Sequence, residues 1–139
     1  MIAYVGPVTV HQDTIEVRTR GEGFYDVTSQ VRQVTARSGV RTGVCTVFLQ
    51  HTSASLVIQE NADPSVLRDL SRWMGELVPP SRRWEHDTEG ADDMPAHART
   101  AITRSSETVP VVQGRLALGT WQALYLWEHR ARGHHRRLL

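Results

Sequence analysis

The sequence predicts a single α+β domain, a largely antiparallel or mixed β-sheet carrying two or three helices. Three observations lead there. The 139 residues amount to one compact domain. Short β-patterned runs are grouped rather than alternating with long helices. One strong helical stripe follows Asp63-Pro64. No repeat, low-complexity tract or linker divides residues 1–139, so the chain reads as one unit.

The elements follow in order. Thr9–Val17 ends in the two-residue period of a strand. Thr28 or Ser29 is placed to cap a helix over Gln30–Arg37, with Val31 and Val34 inward and Gly39 ending it. Gly43–Leu49 is β-rich and reads as a buried strand, and Ser55–Ile58 as a second. Asp63 caps the next helix, and Pro64 suits its first position because the missing N–H has no partner there. Val66, Leu67, Leu70, Trp73, Met74 and Leu77 follow the 3.6-residue period, so this stripe is expected in the core. Residues 81–94 are polar and acidic, hence a loop, and Pro95–Ile102 can form a short helix. Val109–Val112 and Leu116–Leu118 flank a Gln113-Gly114 turn as a hairpin. Thr120–Trp127 and His134–Leu139 complete the strands.

Composition narrows the class. Apolar residues make up 40% and charged residues 22%, with a net charge of +1, which gives no global pull toward nucleic acid or acidic membranes. All 16 basic residues are arginine, which excludes a Schiff-base lysine and a P-loop. No stretch approaches the roughly 20 apolar residues of a membrane span. Met1-Ile2-Ala3-Tyr4 does not resemble a secretory leader, and the lone Cys45 fits a reducing compartment. The expectation is a cytoplasmic protein. Charge is uneven: Glu85, Asp87, Glu89, Asp92 and Asp93 crowd one loop, while Arg130, Arg132, Arg136 and Arg137 crowd the tail. The tail's arginines suit phosphate, but no aromatics are interleaved for base stacking, so nucleic acid is not expected.

Seven histidines raise the question of metal. His51 follows an apolar strand, His86 opens the acidic loop and His97 lies on the short helix. Three imidazoles plus an open position would suit a zinc-like ion, with neighbouring acids orienting the rings. The alternative is that each histidine is structural. Glu60 or Asp93 can serve as a general base beside such a site. His51 and Ser53 share a face of an extended chain, whereas His51 and Thr52 do not. No nucleophile elbow is present.

The run Phe48-Leu49-Gln50-His51-Thr52-Ser53-Ala54-Ser55 through Glu60-Asn61-Ala62-Asp63-Pro64 resembles the YjbQ-like family, also called secondary thiamine-phosphate synthase. So do His86…Glu89-Gly90-Ala91-Asp92-Asp93-Met94-Pro95-Ala96-His97 and the run from Ser106 through Gly119-Thr120-Trp121-Gln122 to Glu128. The resemblance spans roughly residues 10–137. It implies an α+β homotrimer with a histidine-lined pocket near subunit contacts, holding a divalent metal ion, zinc-like or magnesium, or a small anion. It also implies a small phosphorylated substrate. The reaction would join a pyrimidine methyl diphosphate to a thiazole phosphate, with loss of pyrophosphate. The site expected from the matching positions has His51, His86 and His97 as metal ligands. Glu60, Asp93 and Ser53 would be catalytic, and Thr52, Asn61, Gln122 and Glu128 would bind substrate. A metal-assisted hydrolase and a non-catalytic anion-binding trimer are the rival expectations. Two departures stand out: Arg104 replaces a glycine usual in the family, and the last strand is short, which is expected to weaken a sheet edge.

Overall fold

A computed structural model describes residues 6–139, so the Met1–Tyr4 start lies outside the described residues. The order is β1 (Ile15–Arg18), β2 (Gly23–Asp26), α1 (Thr28–Ser38), β3 (Thr42–Phe48), β4 (Ala54–Glu60), α2 (Pro64–Leu77), α3 (Asp93–Ala101), β5 (Ser106–Val112), β6 (Arg115–Leu116), β7 (Gln122–Glu128) and β8 (His135–Leu138). All pairings are antiparallel, in three short sheets ordered β2-β7-β4, β3-β5-β6 and β1-β8. Bridges between Leu49 and Leu138, and between Leu56 and Arg104, stitch the sheets together. The α+β expectation holds. Among the described residues no helix is long and apolar enough to cross a membrane.

Strand β7 is the centre. Ala123 through Glu128 are all buried, flanked by β2 and β4. Leu124 and Leu126 meet Leu56 of β4, Val27 and Val31 at the α1 end, and Leu49 and Leu138 in one apolar cluster. The Gln113-Gly114 turn is as expected: both residues have positive φ, 51° and 79°, the mark of a tight primed hairpin. The short β8 pairs with β1 along its whole length, from His135 opposite Arg18 to Leu138 opposite Ile15. Arg104 is not among the residues with positive φ, so the replacement of glycine causes no strain.

Four local expectations need correction. Helix α1 begins at Thr28 itself, and neither Thr28 nor Ser29 caps it. Asp26 Oδ1 accepts the Thr28 N–H at 2.9 Å, while Thr28 Oγ1 accepts the Leu124 N–H at 2.9 Å and so pins the helix to β7. Strand β3 is not buried: Val44 is 69% exposed and Phe48 44%. Its β5 partner alternates strictly, so Val44, Phe48, Pro110 and Val112 share one open face. The hairpin's return strand stops at Leu116, short of Leu118. Helix α2 is capped as expected, with Asp63 accepting the Ser65 N–H at 2.8 Å. Its stripe, however, buries only Met74, and Trp73 stands 53% exposed. The period is right, but among the described residues little covers the stripe.

A cavity of about 880 Å³ lies between residues 6–13, α1 and β3, lined by Val31, Val34, Cys45, Val47 and Leu139 among others. It exists because the outer edge of β3 has no strand beside it among the described residues before Phe48, whose N–H and C=O pair with Leu139.

The core also contains charge. Glu128, with no exposed surface, meets Arg136, 4% exposed. Arg136 Nε donates to Glu128 Oε2 at 2.7 Å, and its Nη2 donates to the other oxygen. Thr19 Oγ1 donates to Oε2 at 2.8 Å and the Arg130 N–H to Oε1 at 3.1 Å. Burial alone would raise the Glu128 pKa, but these donors and the Arg136 charge outweigh it and lower it. Beside them His129 is 1% exposed, with Nε2 2.8 Å from Ser55 Oγ. Burial, with the charge of Arg99, takes its pKa down to about 3. Folded His129 is therefore neutral, whereas the unfolded chain protonates it below about 6.5. Between those values the unfolded state holds the extra proton, so stability falls as pH falls. We expect wild type to lose stability relative to His129→Gln by roughly 1.4 kcal/mol per pH unit from about 6.5 toward 3. Urea denaturation of both proteins across that range measures it; parallel curves would refute it.

Candidate metal centre

The acidic loop runs into α3, whose first turn carries Asp93, an acid where the helix's free N–H groups favour one. His97 follows four residues later on the same face. The preceding loop folds His86 and Glu89 onto that face. One donor atom from each of His86, Glu89, Asp93 and His97 lies within 4.8 Å of the other three. Asp93 Oδ2 is the meeting point, 2.8 Å from His86 Nε2 and 3.3 Å from His97 Nε2. Glu89 Oε2 is 3.2 Å from His86 Nε2. Asp93 is buried, while His86 and Glu89 are exposed, so the cluster opens to solvent.

The surroundings fix these groups. His97 Nδ1 is 3.0 Å from the Thr52 carbonyl. A carbonyl only accepts, so Nδ1 carries the proton. The ring's Nε2 thereby faces the Asp93 carboxylate. At that distance a proton or a cation lies between a ring nitrogen and a carboxylate oxygen. Asp93 Oδ1 accepts from Arg130 Nη1 at 2.6 Å. Arg130 Nε donates to Asp92 Oδ2 at 3.0 Å, and Nη2 to the Glu89 carbonyl at 3.1 Å. Burial alone would raise the Asp93 pKa; contacts with His86 and Glu89 and the charges of His97 and Arg130 reverse this and lower it. The Asp93 hydrogen bond, ahead of Glu89, raises that of His86.

The expected trio does not meet within one chain. His86 and His97 share the cluster, but His51 accepts the Arg137 N–H on Nε2 at 3.1 Å. It lines a separate cleft of about 420 Å³ with Glu16, Gln50, His135, Arg136 and Arg137. Burial, then the Arg136 charge, lowers the His51 pKa. Thr52 touches the cluster through its carbonyl. Ser53 is buried, its Oγ accepting from Arg136 Nη2 at 2.9 Å, which does not leave it placed as a nucleophile. Glu128 has no exposed oxygen for a substrate. Glu60, Asn61 and Gln122 gather at the far end of the β4–β7 ladder, where Glu60 sits opposite Gln122. The Asn61 N–H donates to the Trp121 carbonyl at 3.1 Å, and Gln122 Oε1 accepts the Gly119 N–H at 2.8 Å. Six residue steps separate Glu60 from Ala54, roughly 20 Å of extended strand, and Glu60 is not among the four donors of the cluster.

Sequence reasoning missed Glu89 as a donor and Arg130 as its support. The i,i+4 pair Asp93–His97 was the available signal. The tail's charge divides: Arg130 pairs with Asp92 and Asp93 and Arg136 with Glu128 inside the fold, while Arg137 meets Glu16 at the surface and Arg132 is exposed.

Comparison with known proteins places the chain. The family described as UPF0047 protein YjbQ-like matches residues 13–139. UPF0047 protein sll1880 of Synechocystis is 51% identical over 140 residues, covering 100% of this chain and 95% of that one. YjbQ of Escherichia coli O157:H7 is 41% identical, covering 93% and 94%. The crystal structure of an uncharacterized YjbQ/UPF0047 protein from Clostridium acetobutylicum is similar at TM-score 0.85 and 32% identity, covering 92% and 97%. A YjbQ-like protein from Sulfolobus solfataricus follows at TM-score 0.81 and 26% identity, covering 91% and 92%. The chain belongs to the YjbQ/UPF0047 family.

The raised His86 pKa is checked by NMR titration of chelator-treated protein. His86 is expected to titrate above 6.5 and to return toward it in Asp93→Asn. The ion pair with Asp93 is present below 6.5 and fades as pH rises through the folded value. Titration unchanged by the substitution would show that Asp93 is not the cause.

Proposed function

We propose that this YjbQ-family chain is a divalent-cation-dependent enzyme acting on a small phosphorylated substrate, with His86, Glu89, Asp93 and His97 holding the cation. The observation that carries the reading is the convergence of four donor atoms within 4.8 Å of one another, with His97 Nε2 3.3 Å from Asp93 Oδ2 and its ring fixed by the Thr52 carbonyl. Two imidazole nitrogens and two carboxylate oxygens suit a zinc-like ion better than magnesium, which prefers oxygen and water. The Thr52 carbonyl and Arg130 are the outer partners that such a site needs.

The cation would supply positive charge to a departing or transferring phosphoryl group. The Thr52 carbonyl orients the His97 ring, and the exposed His86 side leaves room for substrate. By family resemblance the reaction is thiamine-phosphate formation, as a minor activity. The thiazole-phosphate nitrogen bonds to the methylene carbon of the pyrimidine, whose C–O bond breaks as pyrophosphate leaves with the electron pair. A second reading, hydrolysis of a small phosphoester, is favoured by the donor set itself, since two histidines and a carboxylate suit hydrolytic zinc. In that reading His86, Asp93 and His97 would hold the ion, and Glu89 rather than the expected Glu60 would be the carboxylate near the nucleophile.

The working form we propose is a homotrimer in the cytoplasm. Its support is the open apolar face of Val44, Phe48, Pro110 and Val112, and the uncovered stripe at Trp73 and Leu77. A trimer is also the arrangement that can bring a neighbour's Glu60, Asn61 and Gln122 toward the cluster.

Elemental analysis of wild type should find about one ion per chain, lost in His97→Ala. Both substrates should then yield thiamine phosphate, or a phosphoester panel its alcohols, in a chelator-sensitive way. Absence of both turnovers in metal-loaded protein would reject the enzyme reading. Light scattering should give a mass near three times 15.7 kDa, falling toward 15.7 kDa in Phe48→Asp. A monomeric wild type would reject the trimer.

A further inference from the structure

Asp93 has two oxygens in different circumstances. Oδ1 accepts from Arg130 Nη1 at 2.6 Å, while Oδ2 faces both imidazoles. The same guanidinium reaches Asp92 Oδ2 at 3.0 Å and the Glu89 carbonyl at 3.1 Å. A planar fork satisfied on three sides cannot turn away without breaking all three contacts. Its main chain is held in turn, because the Arg130 N–H donates to buried Glu128.

We propose that Arg130 is a positioning residue that sets cation selectivity: it engages Asp93 Oδ1, leaves Oδ2 alone for a cation, and so favours a compact, nitrogen-accepting ion of the zinc class over calcium. The proposal rests on the reading of the cluster as a cation site. Calcium takes six to eight oxygens and commonly both oxygens of a carboxylate. Zinc is content with four donors of mixed nitrogen and oxygen. With Oδ1 engaged, the cluster offers two nitrogens and one oxygen each from Asp93 and Glu89. Arg130 also fixes the backbone at Glu89, so it sets the reach of the second carboxylate. Lysine at this position keeps the charge as a point and cannot span Asp92, Asp93 and the Glu89 carbonyl together.

The test is calorimetric titration of chelator-stripped full chain with Zn²⁺ and, separately, Ca²⁺. Wild type is compared with Arg130→Lys, Arg130→Gln and His97→Ala, and the visible absorption of bound Co²⁺ reports coordination number. The zinc-to-calcium affinity ratio should fall roughly 10–100-fold in Arg130→Lys, the range for loss of an outer partner. The Co²⁺ bands should weaken as the coordination number rises. Arg130→Gln also removes a repelling positive charge and strengthens both ions, so the ratio is the readout. An unchanged ratio and spectrum in Arg130→Lys overturn the proposal, as does equal weakening of both ions, which a loosened fold would give. A wild type that takes up no ion, or a His97→Ala that binds as wild type does, overturns the cation reading beneath it and is thereby told apart.

Discussion

The buried pair of Glu128 and Arg136 is the constraint around which the rest is arranged. A carboxylate without solvent contact is tolerable when every lone pair is matched, and here Arg136, Thr19 and the Arg130 N–H supply the donors. Removing one partner of such a pair typically costs about 3–5 kcal/mol, because the other charge is left stranded. The pair joins the end of β7 to β8, and through Ser53 it reaches the segment before β4. It also sets the backbone at Arg130, whose side chain clamps Asp92 and Asp93. The order of dependence runs from a core ion pair, through one main-chain N–H, to a guanidinium, and only then to the imidazoles. Close approach helps: a Cβ on Gly133 would collide with the Thr19 carbonyl, so the turn after Arg130 packs directly on the backbone just past β1.

Much of the fold was legible because it rests on local signals. Asp63-Pro64, Gly39 and Gln113-Gly114 state their conformations in one or two residues, and the structure follows them. Burial was less legible. Trp73 and Val44 sit on correct periods yet face outward, since a period identifies a face and not what covers it. Thr28 shows the opposite failure: a hydroxyl at a helix start read as a cap is held by a strand almost a hundred residues away.

The site was half legible for the same reason. Asp93 and His97 lie one helical turn apart, and His86 is nearby in sequence, so family pattern and spacing agree on them. The acidic loop and the arginine tail were both visible as charge runs, and their union was not, because about forty residues separate Asp92 from Arg130. Their pairing also changes what the tail is. Two of its four arginines, Arg130 and Arg136, are answered by carboxylates inside the fold, so a run that reads as a phosphate surface is in part internal scaffolding. His51 and Glu128 show how polar residues in a family-like pattern divide once folded: one lines a cleft of its own, the other is enclosed in the core.

The β1–β8 pairing has a kinetic consequence. The first strand is completed by the last, with Val17 opposite Arg136. During synthesis the chain therefore emerges with β1 unpaired and Glu128 without its counter-ion until β8 has left the ribosome. Contacts of this sequence separation close slowly, because the loop entropy must be met before the pairing rewards it. The cluster of His86, Glu89, Asp93 and His97 sits in the middle of the chain, yet it acquires its Arg130 clamp only near the end. A nascent chain thus carries the four side chains well before it carries the arginine that braces them.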